Sequence, residues 1–228
     1  MPNMATSDFQ RARSVEQKQQ RRDEMLAAAR KLALAKGVRT VTMSDIADDI
    51  GFHKSAVLRY FETREAVFLE LATVGWVDWM DACVPAIHSS AGDPSRVARA
   101  IADTLTQRPL FCDLLGHAPM NLERGVSAEA VQQFKVIVLD QVDRFVQAAT
   151  AALPSLTEAD GRALVTAVCA LASSLWQVSH PTEPVAALYR SNPHLGHATV
   201  DFAPALYNQS ETVILGLLSR RLTPPSTN

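Results

Sequence analysis

Cysteine is scarce. Cys83, Cys112 and Cys169 are the only three in the chain, far apart and without a CxxC pair. A disulfide-stapled scaffold is thereby excluded, a structural zinc site is not expected, and the thiols read as small buried hydrophobes of a reducing compartment. With 9 glycines and 12 prolines the chain is neither collagen-like nor of low complexity. The N-terminal stretch MPNMATSDFQRARSVEQKQQRRDE lacks the apolar core of a secretory signal. The most apolar run, Ala163–Trp176, contains Thr166, Ser173 and Ser174 and is shorter than the about 18 residues a membrane span needs. A cytoplasmic protein without membrane contact is therefore expected. No GxSxG, Walker A, HExxH or dinucleotide glycine motif occurs. His194-x-x-His197, with His180 nearby, has neither cysteine nor a clear carboxylate beside it, so no metal and no cofactor is expected. Alternating strand patterns and internal repeats are absent too.

What is present is apolar content of 47% with 20% charged residues in 228 positions, the composition of a folded protein of one or two domains. The formal net charge of −2 hides an asymmetry. Between Phe9 and Thr40 nine Lys/Arg face three acids, whereas from Trp76 onward ten Lys/Arg face fourteen Asp/Glu. A basic module directed at a polyanion and attached to an acidic body fits this pattern; a solvated helix face fits the basic run equally well.

Helical periodicity runs through nearly the whole chain. Residues 1–20 are polar, basic and aperiodic and read as a flexible arm. Arg21–Lys36 carries Met25, Ala29, Leu32 and Ala33 on one face and stops at Gly37. After the connector Val38–Val41, Thr42 and Asp45 form a shortened capping box for a helix carrying Ile46, Ala47 and Ile50. Gly51 ends it. A second short helix follows, with Val57 and Phe61 one turn apart. Thr63 then caps a helix from Arg64 to about Val84, with Pro85 as its stop. Further helices are expected from Asp93-Pro94 to about Gln107, over Leu110–Gly116, from Ser127 to Ala152, over Thr157–Val178 and over Pro204–Arg220. Ser179–Ala203 reads as a long irregular connection with one short helix near Val185–Tyr189. The fold class is all-α.

Two short helices around the turn Gly51-Phe52-His53 have helix-turn-helix spacing. In such a unit one helix braces and the next presents polar side chains to the major groove, which admits a single helix. Val57 and Phe61 would anchor the second helix, leaving Lys54, Ser55, Ala56, Leu58, Arg59 and Tyr60 to face DNA. The sequence itself is more specific than the spacing. AARKLALAKG at 28–37, VTMSDIA at 41–47, Gly51-Phe52 and LRYFETREAV at 58–67 together resemble the TetR family of transcriptional regulators.

The resemblance covers roughly residues 20–70; beyond them only size and helical character match. It implies a three-helix DNA-binding domain at 21–66, an effector-binding and dimerisation domain at 67–222 and a tail at 223–228. It implies DNA contacts at Thr42, Ser44 and His53, along the second short helix, and at Arg64, which stands where the family usually has a phosphate-contacting Lys. Leu58 replaces the usual Tyr, His53 the common Ser cap, and Ala56 a frequent Thr or Gly.

In the body, Trp76, Trp79, Met80, Phe111, Met120 and Trp176, with Leu115 beside them, are candidates for an apolar effector pocket. Cys112, His117 and Gln177 would be its polar groups. The same aromatics serve equally as plain core. Cys112 and His117 as a nucleophile pair are disfavoured by their apolar neighbours Phe111, Leu114 and Leu115. The helices Thr157–Val178 and Pro204–Arg220 are apolar on more than one face, which calls for a partner subunit, and the resemblance implies a four-helix dimer interface there. The expected partners are thus a double-stranded operator, a small effector and a second copy. The expected function is that of a ligand-responsive regulator, not an enzyme. Two alternatives stand beside it: a small helical enzyme or carrier using the body, and a DNA-binding protein without an effector.

Overall fold

The computed structural model describes residues 4–192, 194–195 and 200–220, and among them contains ten α-helices and no strand. The first, α1, runs unbroken over Met4–Lys36. The arm expected at 1–20 is therefore helical over most of its length. No Gly or Pro interrupts Ala5–Lys36, good helix formers dominate it, and Gln19–Asp23 (2.8 Å) and Arg21–Glu24 (2.8 Å) add side-chain pairs one turn apart. Gly37, at φ +82°, turns the chain into a 3-10 turn at Val38–Thr40.

Thr42 opens α2 (Met43–Asp49). Its hydroxyl accepts the Asp45 N–H at 3.2 Å, and the Asp45 carboxylate accepts the Thr42 N–H at 2.7 Å. The Thr42 amide, then the Lys36 ammonium, hold the Asp45 carboxyl down at about 2. Gly51, at φ +70°, makes the turn to α3, whose regular part is only Lys54–Val57. Tighter i→i−3 hydrogen bonds carry the coil on, Arg59 N–H to Ala56 at 3.3 Å and Tyr60 N–H to Val57 at 2.9 Å, and Phe61 N–H closes on Val57 at 3.1 Å. Helices α1 to α3 enclose a small core containing Met25, Ile46, Val57 and Phe61.

The body starts with α4 (Arg64–His88), capped by the Thr63 hydroxyl on the Ala66 amide at 3.1 Å. Pro85 does not stop it. The ring forfeits one amide near the helix end, where the remaining turn still buries Ile87. There follow α5 (Pro94–Thr106), α6 (Pro109–Met120), α7 (Ala128–Ala152), α8 (Glu158–Ser179), α9 (Glu183–Ser191) and α10 (Phe202–Ser219). Helix α4 packs on α5 and α7, α8 on α6 and α7, and α10 lies across α5 and α8. The α1 helix reaches the body along α4 and α6. By length and composition α8 alone among the described helices could cross a membrane, but it is a packed helix of this body, with a third of its apolar window buried within the protomer.

The body core centres on Trp79. Its ring meets Trp76, Phe111 and Phe145 at centroid distances of 5.6, 5.7 and 5.9 Å, and its indole N–H donates to Thr104 Oγ1 at 3.2 Å. Gly75 admits this packing, because a β-carbon there would stand 2.4 Å from the Phe111 ring. Trp79→Ala should lower unfolding free energy by about 3–5 kcal/mol in urea denaturation followed by circular dichroism. A loss under about 1 kcal/mol would mean that this cluster is not a rigid core.

Candidate nucleic-acid interface

The helix-turn-helix is held from behind. Val57 is fully buried and Phe61 nearly so, and Arg22 of α1 clamps the end of the segment. Its guanidinium lies 4.1 Å over the Phe61 ring, donates to the Tyr60 carbonyl at 2.9 Å and pairs with Glu70 of α4. Outward from this anchor, Lys54, Ser55, Leu58 and Arg59 are exposed, while Ala56 and Tyr60 are half-buried. Lys54 and Arg59 have no ion-pair partner among the described residues. His53 is the N-cap of α3, exposed and without a side-chain cap bond. Ser44 is exposed in the first turn of α2. The Thr42 hydroxyl is engaged with Asp45, to which it also donates at 2.8 Å.

Arg64 is placed differently from the phosphate contact expected of it. Its side chain turns inward. Nε donates to the Val41 carbonyl at 2.5 Å, Nη2 to the Val38 carbonyl and Nη1 to Glu65 at 3.0 Å, with Phe68 beneath the guanidinium. The physical reason is local: the 3-10 connector leaves carbonyls without helical partners, and a guanidinium satisfies several at once. Several other basic residues are committed as well. Lys31 pairs with Asp49 at 2.6 Å and Lys36 with Asp45 at 3.0 Å, so the basic stretch is less available to a polyanion than its composition suggests.

The amide of Val38 is held by the body as well. Asp113 of α6 accepts the Val38 N–H at 3.0 Å through Oδ2 and the Gln177 amide of α8 at 2.7 Å through Oδ1. His117 Nε2 stands 3.3 Å from the same Oδ1, buried and without a well-aligned hydrogen bond among the described residues. Burial works to raise the Asp113 pKa, but the His117 imidazole and the Val38 and Gln177 amides outweigh it and hold the carboxyl below its ordinary value. Asp113 escaped the sequence reading. The signal was available as a lone acid one turn from His117 in an otherwise apolar helix.

The ten candidate effector residues do not converge on one pocket. Trp76, Trp79 and Phe111 pack against one another, and Met80 and Cys112 are buried. Trp176 instead stacks on His180 at 3.6 Å and meets Phe202 edge-on. Gln177 is exposed on its way to Asp113, Leu115 is half-buried, and Met120 is 62% exposed. The split follows from helix geometry: the aromatics of α4 and α6 face inward to one core, while those at the end of α8 face α10. Burial raises the Cys83 and Cys112 thiols to about 12 and Cys169 higher still, so all three are protonated at neutral pH and none is an activated nucleophile. His197 lies outside the described residues, and no metal-ligating cluster occurs among those described.

Two family profiles match the chain. The one described as bacterial regulatory proteins, tetR family, covers residues 25–71, and the one described as tetracyclin repressor-like, C-terminal domain, covers 72–221. The chain therefore belongs to the TetR family of transcriptional regulators. Among solved structures it is similar to the TetR family transcriptional regulator PfmR from Thermus thermophilus, with 14% identity, 85% of this chain and 98% of that one covered, and a TM-score of 0.54. A TetR/AcrR family regulator from Thermobifida fusca gives 18% identity, 86% and 97% coverage and a TM-score of 0.51. At such identities the likeness is one of fold. No curated protein sequence matches.

Arg64→Ala should lower the urea midpoint, because two connector carbonyls lose a charged donor at about 1.5–3 kcal/mol each, reduced where water replaces it. The slope of log DNA affinity against log salt should stay as in the wild type. A slope smaller by about one would make Arg64 a phosphate contact after all.

Proposed function

We propose that the protein is a homodimeric, ligand-responsive repressor that binds a palindromic operator and leaves it when a small, largely apolar effector binds. The observation that carries this reading is the recognition segment: Lys54, Ser55, Leu58 and Arg59 project from a coil anchored by Val57 and Phe61. Thr42, Ser44 and His53, at the starts of α2 and α3, flank it as phosphate or base contacts, and Ala56 and Tyr60 complete the groove-facing surface. Leu58 is 43% exposed, an unusual place for leucine in water but a fitting one against a thymine methyl. Lys18 and Arg21 of α1 border a polar recess with Tyr60, which extends the cationic surface past the end of the recognition segment.

Dimerisation through α8 and α10 is supported by apolar and small residues left exposed on these packed helices, Val178, Ala163 and Ala170 on α8 and Leu215 and Gly216 on α10. A two-fold dimer carries two reading heads and calls for two half-sites about one helical turn apart. The working compartment of such a protein is the cytoplasm, and no catalytic role is assigned.

Fluorescence anisotropy against duplex DNA flanking the protein's own gene, with scrambled duplex as control and a salt series, tests the reading. We expect selective, salt-sensitive binding by a dimer, and for Arg59→Ala a loss of about 1–3 kcal/mol that differs between base substitutions in the site. Equal affinity for flanking and scrambled DNA would contradict the regulator reading, and a uniform loss with Arg59→Ala would demote Arg59 to a backbone contact.

A further inference from the structure

A cleft of about 180 Å³ opens where α1 of the reading head meets α4 and α6 of the body. Its floor is apolar, made by Leu71, Leu110, Phe111 and Leu114, and its rim holds Leu34 and Val74, both about half-exposed. Large aliphatic side chains left open to water on facing helices are what an apolar occupant would cover. The polar lining is cationic. Arg30 has no hydrogen-bond or ion-pair partner among the described residues. Arg108 uses Nε on Asp78 at 2.8 Å and Nη1 on the Thr104 carbonyl at 2.8 Å, which leaves Nη2 unbonded. Asp78, the one acid in the lining, is thus already engaged. The first turn of α6 also borders the cleft, and its N-cap, Arg108, gives it no side-chain cap, so the positive end of that helix is unanswered.

We propose that this cleft binds a small amphipathic carboxylate, its apolar body between Leu34, Val74 and Phe111 and its carboxylate between Arg30 and Arg108. Benzene fills a cavity of about 150 Å³, so the apolar body has roughly six to eight carbons. The site abuts the Trp79 core through Phe111, which contributes to both, and is separate from the Trp176–His180 stack. Its position gives it a lever. Leu114 lines the cleft, and the next residue back, Asp113, holds the Val38 amide across the same seam. An occupant that spreads α1 from α6 loads that bond. This consequence rests on the regulator reading; binding itself does not.

Benzoate, hexanoate and octanoate are titrated into the 228-residue protein by calorimetry and saturation-transfer NMR, with benzyl alcohol, hexanol and octanol as neutral controls. Val74→Trp fills the rim and Arg30→Ala removes an unpaired cation; both sit at exposed positions, and a circular dichroism melt verifies that each folds. We expect at least one carboxylate to bind, the matching alcohol to bind about tenfold more weakly, Arg30→Ala to weaken the carboxylate about tenfold, and Val74→Trp to abolish binding. Absence of binding by all three carboxylates overturns the proposal, as does binding undiminished in both variants or equal binding of acid and alcohol. The bound carboxylate is then added to the protein–DNA complex. Cleft binding with unchanged DNA affinity overturns the lever alone, whereas failure of the protein to select any DNA refutes the regulator reading and leaves the cleft result standing.

Discussion

Residue Val38 is gripped at both of its backbone polar groups, and the relation between head and body depends on that grip. Its N–H is taken by Asp113 of α6 and its carbonyl by Arg64 of α4. Val38 is the first residue after α1 ends at Gly37, so the place where the chain leaves its long helix is also where the body takes hold of it. A connector of three 3-10 residues has little structure of its own to resist bending. Its geometry is imposed by one carboxylate and one guanidinium, each satisfied by further partners: Gln177 and His117 around Asp113, Val41 and Glu65 around Arg64. Networks of this kind are stiff when complete and costly when broken, because each lost partner leaves a buried polar group behind.

The same principle governs the arginines that face inward. Arg22 ties Tyr60 and Phe61 to Glu70, and so fixes the end of the recognition segment to α1 and α4 together. Arg108 ties the loop before α6 to Asp78 and to the last turn of α5. Each guanidinium spans two or three elements, which a lysine ammonium could not do with fixed direction. Positive charge in this chain therefore has a structural use, tying elements together through Arg22, Arg64 and Arg108, beside the cations Lys54 and Arg59 that stay exposed.

Much of the fold was legible because it is written locally. Thr42 with Asp45, Thr63 before Ala66, Gly37 and Gly51 at their turns and the short helix within 183–191 all follow from residue types a few positions apart. The inward turn of Arg22 and Arg64 was not legible, since their partners Glu70 and Val38 lie 48 and 26 positions away. Pro85 runs through α4 because burial of Ile87 continues past it, a tertiary reason that overrides a local one. The aromatic residues of α4 and α6 do form one neighbourhood, but periodicity cannot tell a filled core from a pocket. Only the 5.5 Å approach of Trp76 and Phe111 over Gly75 decides for the core.

If Val38 is the joint, the hydrogen bond to Asp113 must be what protects its amide beyond burial. Amide hydrogen exchange of the Val38 N–H, compared between wild type and Asp113→Ala by NMR, measures this directly. The amide should be slow in the wild type and fast in the variant, while amides inside α2 and α4 keep their protection. A Val38 amide that exchanges rapidly in the wild type, or one that stays protected without the carboxylate, would contradict this.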